Sequence, residues 1–295
     1  LDVEISGKDV LSPHGEYVPA LVIGGLRRFL TAAGLKSRSS AAIEERWRAL
    51  TAHQENVRAV LPQAVAKRPP SFCTGCPERP VFSAMKILRQ REPEIGDTHV
   101  SADIGCSTFS TQAPFNVGNS VLGYGLGLAS SSAVAPLFGK RVVSVMGDGG
   151  FWHNGLTNGI ANAMYNKQDS VLVILDNFYA AATGQHHLPS TGTNARREPL
   201  RMTIPDALRG LGVTWIRTVD GYRIAEVMAT LREALTTRVP GLKVIIARNE
   251  CMLERQRREK PRLRALAAAG AEVVQPRFGV DPDVCTGDHS CMRLN

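Results

Sequence analysis

Between Arg141 and Asn177 the chain reads "RVVSVMG", then "NGLTNGIANAMYN", then "SVLVILDN". Two short runs of consecutive apolar residues with a helical stretch between them have few possible homes. An antiparallel strand with one wet face would alternate apolar and polar residues; these runs do not, so both faces must be covered. Covered strands joined through a helix are parallel neighbours in one sheet. The same alternation extends in both directions. "RPVFSAMKILRQR" (79–91) predicts a helix, "THVSADIG" (98–105) a short strand, and "NSVLGYGLGLASSSAVA" (119–135) a helix of small residues. After a loop from Phe178 to about Pro205 come the strand "VTWIRTV", the helix "YRIAEVMATLREALTT" and the strand "GLKVIIAR". The fold class that follows is α/β, a mostly parallel sheet with helices on both faces.

Ahead of this pattern, "EYVPALVIGGLRRFLTAAG" and "AAIEERWRALTAHQENV" carry apolar residues at helical spacing, and "AVAKRPPSF" then breaks the helix at Pro69 and Pro70. The expected organisation is a helical linker over 1–65, the main domain over 66–275, and a short further segment over 276–295. The first residue is Leu1 and the last Asn295, which suggests a piece of a longer polypeptide. No apolar run approaches the length of a membrane span, and no secretory signal is visible, so the expectation is a cytoplasmic protein. The net charge is +8, with basic clusters at Arg196, Arg197 and Arg201 and in "ERQRREKPRLR" (254–264). A solvated face accounts for both clusters; attraction of an anionic substrate, a cosubstrate such as coenzyme A or an acidic partner is the functional alternative. No nucleic-acid motif is present, and aromatics do not alternate with the basic residues.

In parallel sheets ligands bind beyond the carboxyl ends of the strands, and the chemistry-bearing residues collect there. Asp148 follows the strand "VVSVMG", flanked by Gly147, Gly149 and Gly150; Asn177 follows the next strand. Glycines let backbone N–H groups approach phosphate oxygens. A carboxylate beside phosphate makes sense with a divalent cation between them, and magnesium takes one or two protein oxygens plus phosphate and water. Asn177 can offer an amide oxygen, and the backbone carbonyl of Tyr179 can complete the protein's share. Alone, Gly-Asp-Gly-Gly reads as a turn and Asp-Asn as a helix cap. Paired on successive strand ends, they resemble the thiamine diphosphate motif of thiamine enzymes.

Six cysteines, at 73, 76, 106, 251, 285 and 291, sit in a chain with no secretory signal, which favours metal or redox use over disulfides. "CTGC" pairs Cys73 with Cys76; Cys106 lies in "DIGCST" and Cys251 closes "VIIARNEC", each just past a predicted strand. Thiolates suit zinc or an iron–sulfur cluster, and a lone CxxC also allows a redox dithiol.

Together "SFCTGCPERP", "SADIGCSTFS", "MGDGGFWHNG", "DNFYAAATG" and "ARNECML" resemble the thiamine-binding portion of 2-oxoacid:ferredoxin oxidoreductases, over about residues 70–255. The Cys-x-Gly-Cys-Pro form and the Phe-Trp-His after the motif are most similar to the indolepyruvate branch, its alpha subunit. The resemblance implies thiamine diphosphate, Mg2+ and a [4Fe–4S] cluster. Asp148, Asn177 and the Tyr179 carbonyl would hold magnesium, and Cys73, Cys76, Cys106 and Cys251 the cluster. Gly105, Gly147, Gly149, Thr183 and Gly184 would flank the cofactor. His153, at the start of the predicted helix, is the candidate for proton transfer, with packing as its ordinary alternative. His186 and His187 would line the substrate mouth, or stand as an exposed loop pair. Cys285 and Cys291 would begin a truncated ferredoxin-like segment, or lie in a tail of free thiols.

The implied reaction is oxidative decarboxylation of a 2-oxoacid, an aryl pyruvate such as indolepyruvate, to an acyl-CoA, with electrons passing to ferredoxin. A pyrimidine-binding domain or subunit supplying the activating glutamate would complete the site, in an oligomer. Two departures, Gly149-Gly150 in place of Ser-Thr and Glu78 in place of a histidine, bear on the substrate rather than the cofactor. Two other readings compete. A non-redox thiamine lyase or decarboxylase would not need clustered cysteines. A zinc-stapled α/β binding module would not need thiamine diphosphate.

Overall fold

In the computed structural model, residues 5–14, 17–34, 38–61, 71–200, 202–274, 279, 281 and 283 are described. Cys285 and Cys291, the expected break at residues 65–66 and Arg201 lie outside them. The chain divides into two compact units, residues 1–69 and 70–295. In the first, α1 (Pro19–Ala32) packs on α2 (Arg38–Val60). Gly24 of α1 sits against the Trp47 ring, where a Cβ would lie 2.9 Å from the indole, and Arg27 pairs with Glu44 at 2.6 Å.

The second unit is a six-stranded sheet, every neighbouring pair parallel, in the order β2-β1-β3-β4-β6-β5. Its strands are β1 (Val100–Ala102), β2 (Ser120–Val121), β3 (Val143–Gly147), β4 (Val171–Asp176), β5 (Trp215–Asp220) and β6 (Lys243–Arg248). The period of two along a strand divides the core. Val143 and Val145, Val171 and Val173, and Ile245 face one side, where they meet α3 (Glu78–Arg91) and α9 (Ile224–Thr236). Met146, Leu172, Ile174, Val244 and Ile246 face the other. There they meet α5 (Gly127–Val134), α8 (Ile204–Gly210) and the helical run that follows β3. The α/β class with helices on both faces is as the sequence implies.

The segment at 119–135 differs from expectation. Ser120–Val121 joins β1 as an edge strand, and the helix begins only at Gly127. The cause is long-range: the Asp103 carboxylate, buried past β1, accepts a hydrogen bond from the Gly125 amide at 2.7 Å. That bond holds a turn where helix was expected. The helix after β3 also differs. Gly-Asp-Gly-Gly is not a loop turn; Gly147 caps α6 (Asp148–Gly150), which runs on through a π-helical stretch, Phe151–Ala161, into α7 (Asn162–Tyr165). The Arg-rich segment lies on α10 (Met252–Ala268).

Candidate functional site

Because every strand runs the same way, the ends of β1, β3, β4 and β6 bring Asp103, Asp148, Asn177 and Cys251 to one edge. Two cavities open there. The first, of about 300 Å³, is walled by Gly105, Gly147, Asp148, Gly149, Asn177, Tyr179 and Thr183, with Glu78, Tyr124 and Ala180 beside them. The second, of about 280 Å³, has Cys73, Cys76, Cys106 and Cys251 in its wall, together with Gly184. Glu78, Cys106, Asn177, Ala181 and Ala182 belong to both, so the two share a partition.

Asp148 is 1% exposed. Its Oδ1 accepts from the Gly149 amide at 2.8 Å, and Oδ2 has no partner. Burial, with the Asp176 carboxylate nearby, pushes its carboxyl well above the usual range. A cation would reverse that shift, because it rewards the charged form that burial penalises. Asp176 is itself buried and pairs with Arg248 at 2.7 Å. Asn177 Oδ1 accepts from the Tyr179 amide at 3.3 Å, and its Nδ2 donates to Glu78 Oε1 at 3.1 Å. The glycine pair after Asp148 is a matter of space. A Cβ on Gly149 would lie 2.2 Å from the Tyr124 hydroxyl, and one on Gly150 2.1 Å from Asp103 Oδ2.

The cysteine wall is built by a turn. The Cys76 amide donates to the Cys73 carbonyl at 3.1 Å, and Gly75, third in this four-residue turn, has φ +73. A type II turn needs a left-handed residue at that position, which is why the motif carries glycine there. The Tyr222 hydroxyl donates to the Gly75 carbonyl at 2.7 Å and ties the turn to the segment before α9. Cys251 donates its amide to the Asn177 carbonyl at 3.1 Å, joining the cysteine wall to the Asn177 strand end. Burial pushes the thiols of Cys76, Cys106 and Cys251 upward, with the Glu78 charge adding to the rise. A redox dithiol requires the opposite, a thiol driven down. Among the described residues, no three His, Cys, Asp or Glu side chains converge closely enough to hold a single metal ion; the four cysteines stand in the wall of the second cavity.

The three candidate histidines stand outside both cavity walls. His153 is exposed and packs against the Tyr124 ring at 5.1 Å. Both loop histidines are exposed as well. His186 bonds Thr183 at 3.3 Å, and His187 bonds Thr193 at 3.2 Å. Tyr124 and Glu78 were not anticipated in the wall of the first cavity, nor was Asp103, buried against Gly125 and Gly150. Glu78 in particular stands beside Asn177 in the partition between the two cavities. Its place after "CTGCP" offers the only sequence hint.

Residues 103–246 match the family of thiamine pyrophosphate enzymes, C-terminal TPP binding domain. The match runs from the end of β1 into β6 and takes in strand ends that wall the two cavities. The chain is also similar to indolepyruvate oxidoreductase subunit IorA of Pyrococcus abyssi, 29% identical over 99% of the chain and 43% of that protein. The same subunit of Archaeoglobus fulgidus is 34% identical over 63% of the chain and 29% of that protein. The chain therefore spans less than half the length of the curated relatives it matches. A solved 2-oxoglutarate:ferredoxin oxidoreductase from Magnetococcus marinus shares the fold. Its TM-score is 0.51 and its identity 15%, covering 63% of this chain and 66% of that one. The resemblance read from the motifs, to the indolepyruvate branch of 2-oxoacid:ferredoxin oxidoreductases, is borne out. Among the described residues no helix is long and apolar enough to cross a membrane.

Proposed function

We propose that the chain is the thiamine diphosphate-binding portion of an enzyme that oxidatively decarboxylates a 2-oxoacid, an aryl pyruvate such as indolepyruvate, to its acyl-CoA. Electrons leave through a [4Fe–4S] cluster to ferredoxin. The observation that carries this reading is the shared partition: a glycine-lined carboxylate cavity and a four-cysteine cavity meet at Glu78, Cys106 and Asn177. When bound, thiamine diphosphate supplies the electron sink for decarboxylation.

The residues present fit these groups. Asp148 has an unpartnered, buried carboxylate oxygen, and with the Asn177 amide oxygen and the Tyr179 carbonyl it would hold Mg2+. Gly147 and Gly149, at the N-terminus of a long helical run, would leave the diphosphate room to approach that terminus; the Gly149 amide itself is engaged by Asp148. Gly105 and Thr183 line the same cavity, whereas Gly184, expected beside the cofactor, stands in the cysteine wall; His153, beside Tyr124, is the candidate to hold or move a proton at the mouth.

Cys73, Cys76, Cys106 and Cys251 would hold the cluster. Four cysteines in the wall of one cavity of about 280 Å³, where among the described residues no three side chains converge on a single ion, support a cluster over a zinc staple. A lyase would have no use for the cavity at all. The unpaired thiols call for a reducing compartment, and we read the protein as cytoplasmic. Coenzyme A, ferredoxin and a pyrimidine-binding domain or subunit supplying the activating glutamate complete the scheme, within an oligomer. On this reading residues 66–275 are the cofactor domain, 1–65 a linker, and 276–295, with Cys285 and Cys291, the start of a ferredoxin-like segment.

The test is reduction of an acceptor dye by the assembled enzyme with indolepyruvate, coenzyme A, thiamine diphosphate and Mg2+. The expected result is reduction that depends on all four and falls at least a hundredfold in Asp148→Ala. Decarboxylation to the free aldehyde with no dye reduction would support the lyase instead.

A further inference from the structure

Glu78 is the first residue of α3, directly after the cysteine turn, and it is only 4% exposed. Its Oε1 accepts from Asn177 Nδ2 at 3.1 Å, across 99 residues of sequence. Its Oε2 is buried with no partner. An amide side chain is nearly symmetric in shape, and which end faces which way is decided by its hydrogen bonds. The Tyr179 amide can only donate and an ionised carboxylate can only accept, so the two together admit one answer: nitrogen toward Glu78, oxygen toward Tyr179. The oxygen is then directed to the loop that walls the first cavity, where it meets the Tyr179 amide at 3.3 Å.

We infer that Glu78 is a positioning residue for the magnesium seat: it locks the Asn177 amide with its oxygen presented to the cation. The inference rests on the assignment of Asn177 as a magnesium ligand. It gives the buried acid a role at the cofactor, through Asn177 rather than by contact with substrate. Because Glu78 stands two residues after Cys76, the same short segment forms the cysteine wall and orients the cofactor ligand.

The experiment is a titration of the assembled enzyme with thiamine diphosphate at fixed Mg2+, read by calorimetry, beside iron content for each variant. Removing a hydrogen bond to a charged group weakens binding by roughly tenfold or more. Glu78→Leu should therefore bind at least tenfold more weakly than the wild type, with iron content unchanged. Glu78→Gln, whose amide oxygen can still accept from Asn177 but whose NH2 can take its place, should fall between the wild type and Glu78→Leu. Asn177→Ala should bind weakly, and adding Glu78→Leu to it should cost less than a further twofold, because the two act as one unit. Unchanged affinity in Glu78→Leu, or losses that simply add in the double variant, would overturn the inference while leaving the thiamine reading intact. Absence of binding in the wild type would overturn the reading itself and the inference with it.

Discussion

Asp103 offers a test of the site's electrostatics in which the sign of the effect changes with pH. It is fully buried at the end of β1, and burial pushes its carboxyl from an ordinary 3.8 to about 7, against the pull of the Gly125 amide. Between those values the unfolded chain has shed the proton and the fold still holds it. Stability is therefore fully present below about pH 4 and is lost as pH rises through 7. The shift amounts to about 4 kcal/mol of penalty carried by the ionised fold at pH 8. Asp103→Asn keeps an oxygen for the Gly125 amide and removes the charge. It also puts an NH2 group where Oδ2 has no partner, at a cost of about 1–3 kcal/mol. The variant should be more stable than the wild type by about 1–3 kcal/mol at pH 8 and less stable by a similar amount at pH 4. Urea unfolding of the ligand-free chain at the two pH values measures both. Equal effects at the two pH values would refute the reasoning, because they would mean that Asp103 does not titrate between them.

Two further outcomes follow from the same geometry. Gly75→Ala places a side chain at φ +73, costs about 1–2 kcal/mol and lowers the melting temperature by about 2–6 °C, with a matching fall in retained iron; an unchanged melt would mean the turn is not held in this form. Arg248→Met leaves Asp176 buried without its cation, which costs about 3 kcal/mol at pH 8. Burial already raises the Asp176 carboxyl, so the loss should shrink at pH 5, where it can take a proton; a pH-independent loss in urea melts would argue against that.

What the sequence made legible was what short-range pattern controls. The apolar runs of β3, β4 and β6 are unbroken because helices cover both faces, and no other element type suits them. Asp148 and Asn177 were legible because each ends such a run. The edge strand Ser120–Val121 was not: it is two residues long, in a glycine-rich stretch whose small side chains suit a helix equally well. Its conformation is decided by Asp103, some twenty residues away. Helix α8 was not anticipated, although Thr203 caps it by accepting from the Asp206 amide at 3.2 Å. The π-helical winding of Phe151–Ala161 has no signature in the periodicity. Glu78 was visible only as an odd residue beside the cysteines, since its partner Asn177 arrives through the closing of the sheet.

The central claim is that a cluster sits beside the thiamine diphosphate seat. Iron and acid-labile sulfide, measured on anaerobically purified protein and on a Cys73→Ser, Cys76→Ser variant, test it most directly. About four irons and four sulfides should be held by this unit in the wild type and lost in the variant. Zinc in their place, or an iron content that the variant leaves unchanged, would contradict it.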